Sequence, residues 1–205
     1  MKSLFIAVFL FSLSFAEIIT IGEPELLSGD PFCGDCALSL HFQVLYLEEE
    51  IGQPITIEEL GWKRTPGGAG SASFTNFAIY MGYCETDELG ETYLENYVPG
   101  TRTLVLDRPT YTISGDVDEW ITETLDVPFW YDGSDNLIIE YEWGTGTGSV
   151  YIYAWDTGTF RALTGGYGSS TGSLLTVAHY QQLIGQLGLD PSTLAGMKTA
   201  FSKEL

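Results

Sequence analysis

Apolar and polar residues trade places at every second position along most of this chain, in short runs separated by clusters of Gly, Pro, Asp and Ser. Neighbouring side chains in a β-strand point to opposite faces, so period-two runs bounded by turn residues specify half-buried strands. In ALSLHFQVLYL, residues Leu38, Leu40, Phe42, Val44 and Tyr46 share one face, and Ser39, His41 and Gln43 take the other. NFAIYMGY aligns Phe77, Ile79, Met81 and Tyr83 in the same way. TRTLVLDRPTYTIS and EWITETL supply two more strands, and Pro109 marks an edge or a bend because proline brings no N–H to a ladder. TPGGAGSAS and EWGTGTGS read as loops, and EEEIG as one helical turn. The expected fold is all-β: an antiparallel β-sandwich, jelly-roll-like, followed by a short C-terminal helix.

The stretch PFWYDGSDNLIIEYEW poses the main functional question, because it gathers Asp132, Asp135, Asn136, Glu140 and Glu142. Asp-Gly is a strong turn dipeptide, since Gly accepts positive φ and the Asp side chain bonds the backbone ahead of it. Pro128-Phe129 then ends one strand, YDGSDN turns, and NLIIEYEW returns as the second strand of a hairpin. Leu137, Ile139, Tyr141 and Trp143 face inward, leaving Glu140 and Glu142 on the polar side, where their substitution would change little.

The ends read differently. Lys2, the apolar run Leu4–Leu13 and the small residues Ser14 and Ala16 form a leader pattern with cleavage expected before Glu17. That run falls well short of the ~20 residues that span a bilayer. Residues 17–187 form the β domain, and 188–205 a tail in which Asp190 caps and Leu194, Met197, Phe201 and Leu205 make one helical stripe. The expectation is a secreted chain, outside the cell or on its surface, without a membrane span. With 28 acidic residues and 8 basic ones, the net charge of -20 repels phosphate backbones and excludes nucleic acid as a partner. A composition 44% hydrophobic and 14% aromatic nonetheless supports a buried core rather than disorder.

In motif order, Pro31-Phe32, LYLEEEIG, ITIEELGW, NFAIYMG, TLVLDRP and EWITETLDVPFWYDGSDNLIIEYEW follow one another, with a weaker tail match in WDTGTFRAL and TGSLLTVAHY. Over about residues 28–180, the chain resembles secreted bacterial β-sandwich surface and adhesion modules, whose most specific element is a PFxYxGxDNLIIE hairpin. The resemblance implies a non-catalytic adhesive, binding or assembly role and no catalytic residues.

Chemistry-bearing patterns are sparse. There is no HExxH and no GxxxxGK[ST], and no GxSxG serine elbow is expected. Glu140 and Glu142 at i, i+2 do not have the strand spacing of a sandwich glycosidase. Three cysteines, Cys33, Cys36 and Cys84, are too few for a zinc site with only His41 and His179 to help. In an exported chain one disulfide is expected, Cys84 with Cys33 or Cys36. No cofactor is expected. Ca²⁺ is the ion the turn acids could hold, either at Asp132, Asp135 and Asn136 or at Asp116, Asp118 and Glu119, although solvated turn acids are the plainer reading. In SVYIYAW, Tyr151, Tyr153 and Trp155 share a face opposite Val150, Ile152 and Ala154. As an exposed row they would stack on sugar rings; the expectation is that they are core. The function expected is a structural or adhesive module that meets other copies of itself or cell-surface components, with polysaccharide binding as the alternative.

Overall fold

The computed structural model describes residues 16–188 and 190. The expected leader and the expected helical tail therefore lie, almost entirely, outside the described residues. The chain runs through β1 (Glu17–Ile21), β2 (Leu26–Ser28), β3 (Leu40–Tyr46), a one-turn helix α1 (Glu48–Ile51), β4 (Ile55–Lys63) and β5 (Ser71–Cys84). It continues through β6 (Thr103–Ser114), β7 (Trp120–Tyr131), β8 (Asn136–Trp143), β9 (Thr145–Ser149) and β10 (Ile152–Asp156). The last elements are β11 (Ala162–Gly165), β12 (Ser173–Leu175), β13 (Val177–His179) and β14 (Gln181–Leu187). The all-β expectation holds, and every strand pair is antiparallel. No helix among the described residues is long and apolar enough to cross a membrane.

Two larger sheets share one core. The first has the order β1-β14-β4-β7; the second runs β12-β11-β3-β8-β5-β6, with β9 beside part of β5. A small sheet, β13-β10-β2, is separate from both apart from a single bridge between Arg64 and Ile152. The inward sides of the period-two runs meet as expected: Phe42, Val44, Tyr46, Phe77, Ile79, Met81, Tyr141 and Trp143 are buried with Trp62 and Phe129 from the first sheet. Trp62 Nε1 donates to the Tyr141 hydroxyl at 3.1 Å, a polar tie between the sheets. Phe32 plugs the centre, edge-on to Trp62 at 4.9 Å. Trp143 Nε1 holds the preceding carbonyl, of Pro31, at 2.9 Å. Burying an aromatic ring of this size is worth a few kcal/mol.

Several expectations need correcting. Leu38 does not face the core; it precedes β3 and is 93% exposed. The stretch EWGTGTGS is not all loop, because Thr145–Ser149 pairs with β5. Its glycines permit this, since a Cβ on Gly146 would lie 2.7 Å from Gly34 Cα and 2.8 Å from the Phe74 ring. The YDGSDN turn forms, with Gly133 at φ 78 and Asp132 Oδ1 accepting from Ser134 N and Oγ at 3.0 and 2.8 Å. However, it closes no hairpin: β7 pairs with β4 in one sheet, and β8 with β3 and β5 in the other. The turn carries the chain between sheets. Pro109 does lie in an edge strand, β6, and EEEIG forms α1, ended by Gly52 at φ 75.

The largest departure is on the outer side of the second sheet. Residues 85–102 fold back over it, carrying a 3-10 turn at Tyr93–Asn96. Leu89, Tyr93 and Tyr97 from this cover pack against Leu45, Ile138 and Leu163 in a second apolar cluster. The polar side of β3 and β8 is thereby an interior.

Candidate functional site

Beneath the cover lies a polar cluster assembled by strand register. His41 on β3 stands opposite Glu142 on β8, and Gln43 opposite Glu140. On the other side of β8, Tyr80 of β5 stands opposite Glu140. Arg102, where the cover returns to the sheet, lays its guanidinium over the Tyr80 ring at 3.4 Å and grips Glu140 through Nε at 3.1 Å and through Nη2.

Glu140 is fully buried. Its Oε2 accepts from Gln43 Nε2 at 2.5 Å and from the Tyr97 hydroxyl at 3.0 Å. Asn96 holds Gln43 Oε1 at 3.0 Å, so the cover and the sheet are stitched through the carboxylate. Burial opposes the charge on Glu140, but the partners outweigh it: His41, Arg102 and Gln43 hold the carboxyl at about 2. Burial and the neighbouring Glu140 charge push the Tyr97 phenol upward.

His41 stacks on Tyr93 with centroids 3.4 Å apart. Its Nδ1 lies 2.9 Å from Ser169 O and 3.4 Å from Glu142 Oε1. Its Nε2 lies 3.1 Å from Glu140 Oε1, yet off the line of a hydrogen bond, so this buried nitrogen has no hydrogen-bond partner. Among the described residues, His41, Glu140 and Glu142 are the one group of three or more His, Cys, Asp or Glu with donor atoms all within 4.8 Å. Glu140 and Glu142 are therefore not solvated strand acids. A carboxyl held ionised near 2 has no proton for general-acid work at neutral pH, and its burial removes it from a substrate's reach. A surface groove of about 440 Å³ lies on the cover itself, between Leu94 and Tyr97, and does not open onto this carboxylate.

The other candidates separate. Asn136 Oδ1 accepts from Glu48 N at 2.8 Å, and its Nδ2 donates to Thr86 O at 2.9 Å and Asp87 Oδ1 at 3.1 Å. That amide is committed to α1 and the cover, away from the Asp132 turn, while Asp135 offers its carbonyl to Tyr131. Asp118 accepts from the Tyr153 hydroxyl at 2.9 Å. Asp116, Asp118 and Glu119 do not bring three carboxylates within 4.8 Å of one another. The cysteine pairing is also corrected. Cys33 bonds Cys36, with Cα atoms 5.3 Å apart, and Cys84 is a buried free thiol whose Sγ meets Thr86 O at 3.3 Å. Cys84 ends β5 beside the cover, whereas the Cys33–Cys36 loop braces the β9 edge, where Gly148 N donates to Asp35 at 2.9 Å.

The aromatic face of residues 151–155 is half-buried, neither the full core expected nor an open row. Val150, Ile152 and Ala154 fill the core instead. Two of the rings are covered by loops: Tyr151 lies against Gly67 and Gly29, and Trp155 against Gly22, where a Cβ would come within 2.0 Å of the ring. The expected absence of a GxSxG string is corrected: Gly168-Ser169-Ser170-Thr171-Gly172 fits the pattern. It lies between β11 and β12 rather than on a strand-to-helix elbow, and the atom it gives His41 is a carbonyl.

A third feature is a grid of hydroxyls on strand positions that are exposed or half-buried, apart from the buried Ser149. Across β6, β5 and β9, register aligns Thr110, Thr75 and Thr145 in one row. The next rows are Thr112, Ser73 and Thr147, then Ser114, Ser71 and Ser149. Strands about 4.8 Å apart, with about 6.8 Å between same-face residues, set the repeat. Ser73 bonds Thr112 at 2.9 Å and Thr75 bonds Thr145 at 2.8 Å.

No protein-family model matches this chain, and a search of curated proteins matches none.

Proposed function

We propose that this chain is a non-catalytic structural or adhesive module acting outside the cell or on its surface, built as a jelly-roll-like β-sandwich. The observation that carries the reading is the hydroxyl grid: leaving out the buried Ser149, eight register-aligned Ser and Thr positions without a charge among them, on a chain of net charge -20. Copies of so acidic a protein, or an acidic protein and a cell surface, repel one another over most of their area. An uncharged face rich in donors and acceptors is where close approach costs least. The Cys33–Cys36 bond fits an oxidising compartment, and the motif order of secreted surface modules points the same way.

The test is sedimentation of the purified chain across a concentration series, with binding to intact cells of the source organism measured in parallel. Ser73→Glu with Thr112→Glu places charge at the centre of the grid and should abolish self-association or cell binding while leaving the fold intact. A parent protein that is monomeric throughout and does not bind cells would refute the reading.

Polysaccharide binding through Tyr151, Tyr153 and Trp155 is the second reading, supported by the partial exposure of all three rings. Loss of glycan retention in a folded Trp155→Ala protein would favour it.

A further inference from the structure

We propose that His41, Glu140 and Glu142 form a site for a transition-metal dication of the zinc class, gated by Arg102. The decisive observation is the unpartnered His41 Nε2. Nδ1 donates to Ser169 O at 2.9 Å, while Nε2 lies 3.1 Å from Glu140 Oε1 without a hydrogen bond. A cation seated between that nitrogen and the two carboxylates would give it the partner it lacks. Pinning one ring nitrogen to a backbone carbonyl is also how metal-binding histidines are commonly oriented.

The dimensions suit a small ion. Ligands about 2.0–2.1 Å from a tetrahedral zinc stand about 3.4 Å apart, close to the 3.1 Å observed. One imidazole and two carboxylates fit zinc or manganese, whereas calcium needs about six to eight oxygens and magnesium keeps an octahedral water shell. Arg102 is the competitor, bonding Glu140 and lying 3.9 Å from Glu142. Its side chain is the most exposed of the four, at 28%, so it can leave toward solvent without opening the core. A dication entering as Arg102 leaves restores the cationic partner that the two carboxylates require.

The experiment is equilibrium dialysis of chelator-treated protein against Zn²⁺, with Mn²⁺, Ca²⁺ and Mg²⁺ in parallel, on parent, His41→Gln and Arg102→Gln. The parent should bind one Zn²⁺ and prefer it to Ca²⁺ and Mg²⁺. His41→Gln should weaken binding at least tenfold, and Arg102→Gln should strengthen it severalfold by removing the competing cation. Ring-nitrogen NMR of the parent gives a readout independent of variant folding: Zn²⁺ should move the His41 signals and leave those of His179 in place. Zn²⁺ binding that is absent, unchanged in folded His41→Gln, or accompanied by unmoved His41 signals would overturn the site.

Discussion

Arg102 lies flat over Tyr80 and closes on Glu140, so one guanidinium joins the cover segment to a carboxylate buried in the strand layer beneath it. Burying that carboxylate alone would be costly, and the guanidinium is its main charged compensation. Arg102→Met should therefore lower unfolding free energy by about 3–5 kcal/mol, the range for breaking a buried pair from one side. Adding Glu140→Gln should recover part of the loss, because the orphaned charge goes with it. Urea unfolding of both single variants and the double variant measures this. Simple additivity would contradict the coupling.

Much of this layer was within reach of sequence. Strand faces followed the two-residue period through Phe42, Ile79 and Tyr141. What the period could not supply was the cover. A period-two run identifies two faces but not what lies on each, so Glu140 looked solvated although residues 85–102 bury it. Leu89, Tyr93 and Tyr97, every fourth residue in a largely polar stretch, carried the signal for an apolar underside. The metal-like cluster was hidden for another reason. Its members are separated by about a hundred positions and meet only through the pairing of β3 with β8, which no local spacing encodes.

The two sheets are tied where Trp62 donates to Tyr141. Removing the hydroxyl in Tyr141→Phe leaves the indole N–H buried without its partner. The expected cost is about 1–3 kcal/mol with little change in ring packing. Thermal unfolding of the variant checks it, and an unchanged midpoint would mean the bond contributes nothing net.

Cysteine chemistry should follow the observed pairing. Unreduced peptide mapping should recover Cys33 joined to Cys36. Alkylation should miss Cys84 in the native protein and label it once the chain is unfolded, since burial rather than oxidation protects it. A Cys84-containing disulfide would overturn the arrangement.

Trp155 is a half-buried ring that packs beside Tyr46, with centroids 6.3 Å apart, and spans Gly22. Trp155→Ala should cost about 2 kcal/mol, below the ~3–5 kcal/mol of a fully enclosed ring. Gly22→Ala should also destabilise, because its φ of 87 and the ring above it leave no room for a methyl group. Denaturant midpoints of the two variants measure the contact from both sides.

His179 sets the acid response of the core. Its ring is fully buried, is stacked on Phe42 at 5.1 Å, and has neither nitrogen hydrogen-bonded. Burial disfavours the charged ring and lowers its pKa to about 3. In the unfolded chain the ring takes a proton near pH 6.5. Between these values the unfolded state holds a proton that the folded state does not, so stability falls as pH falls through that window. The slope is about 1.4 kcal/mol per pH unit, or about 2 kcal/mol by pH 5 relative to neutral pH. Above pH 6.5 the ring is neutral in both states and contributes no pH dependence. Other groups titrate in the same range, so the decisive quantity is the difference between parent and His179→Leu. The parent should lose about 2 kcal/mol more than the variant between pH 7 and pH 5. Parallel curves would mean that the buried ring reaches a proton partner in the folded protein.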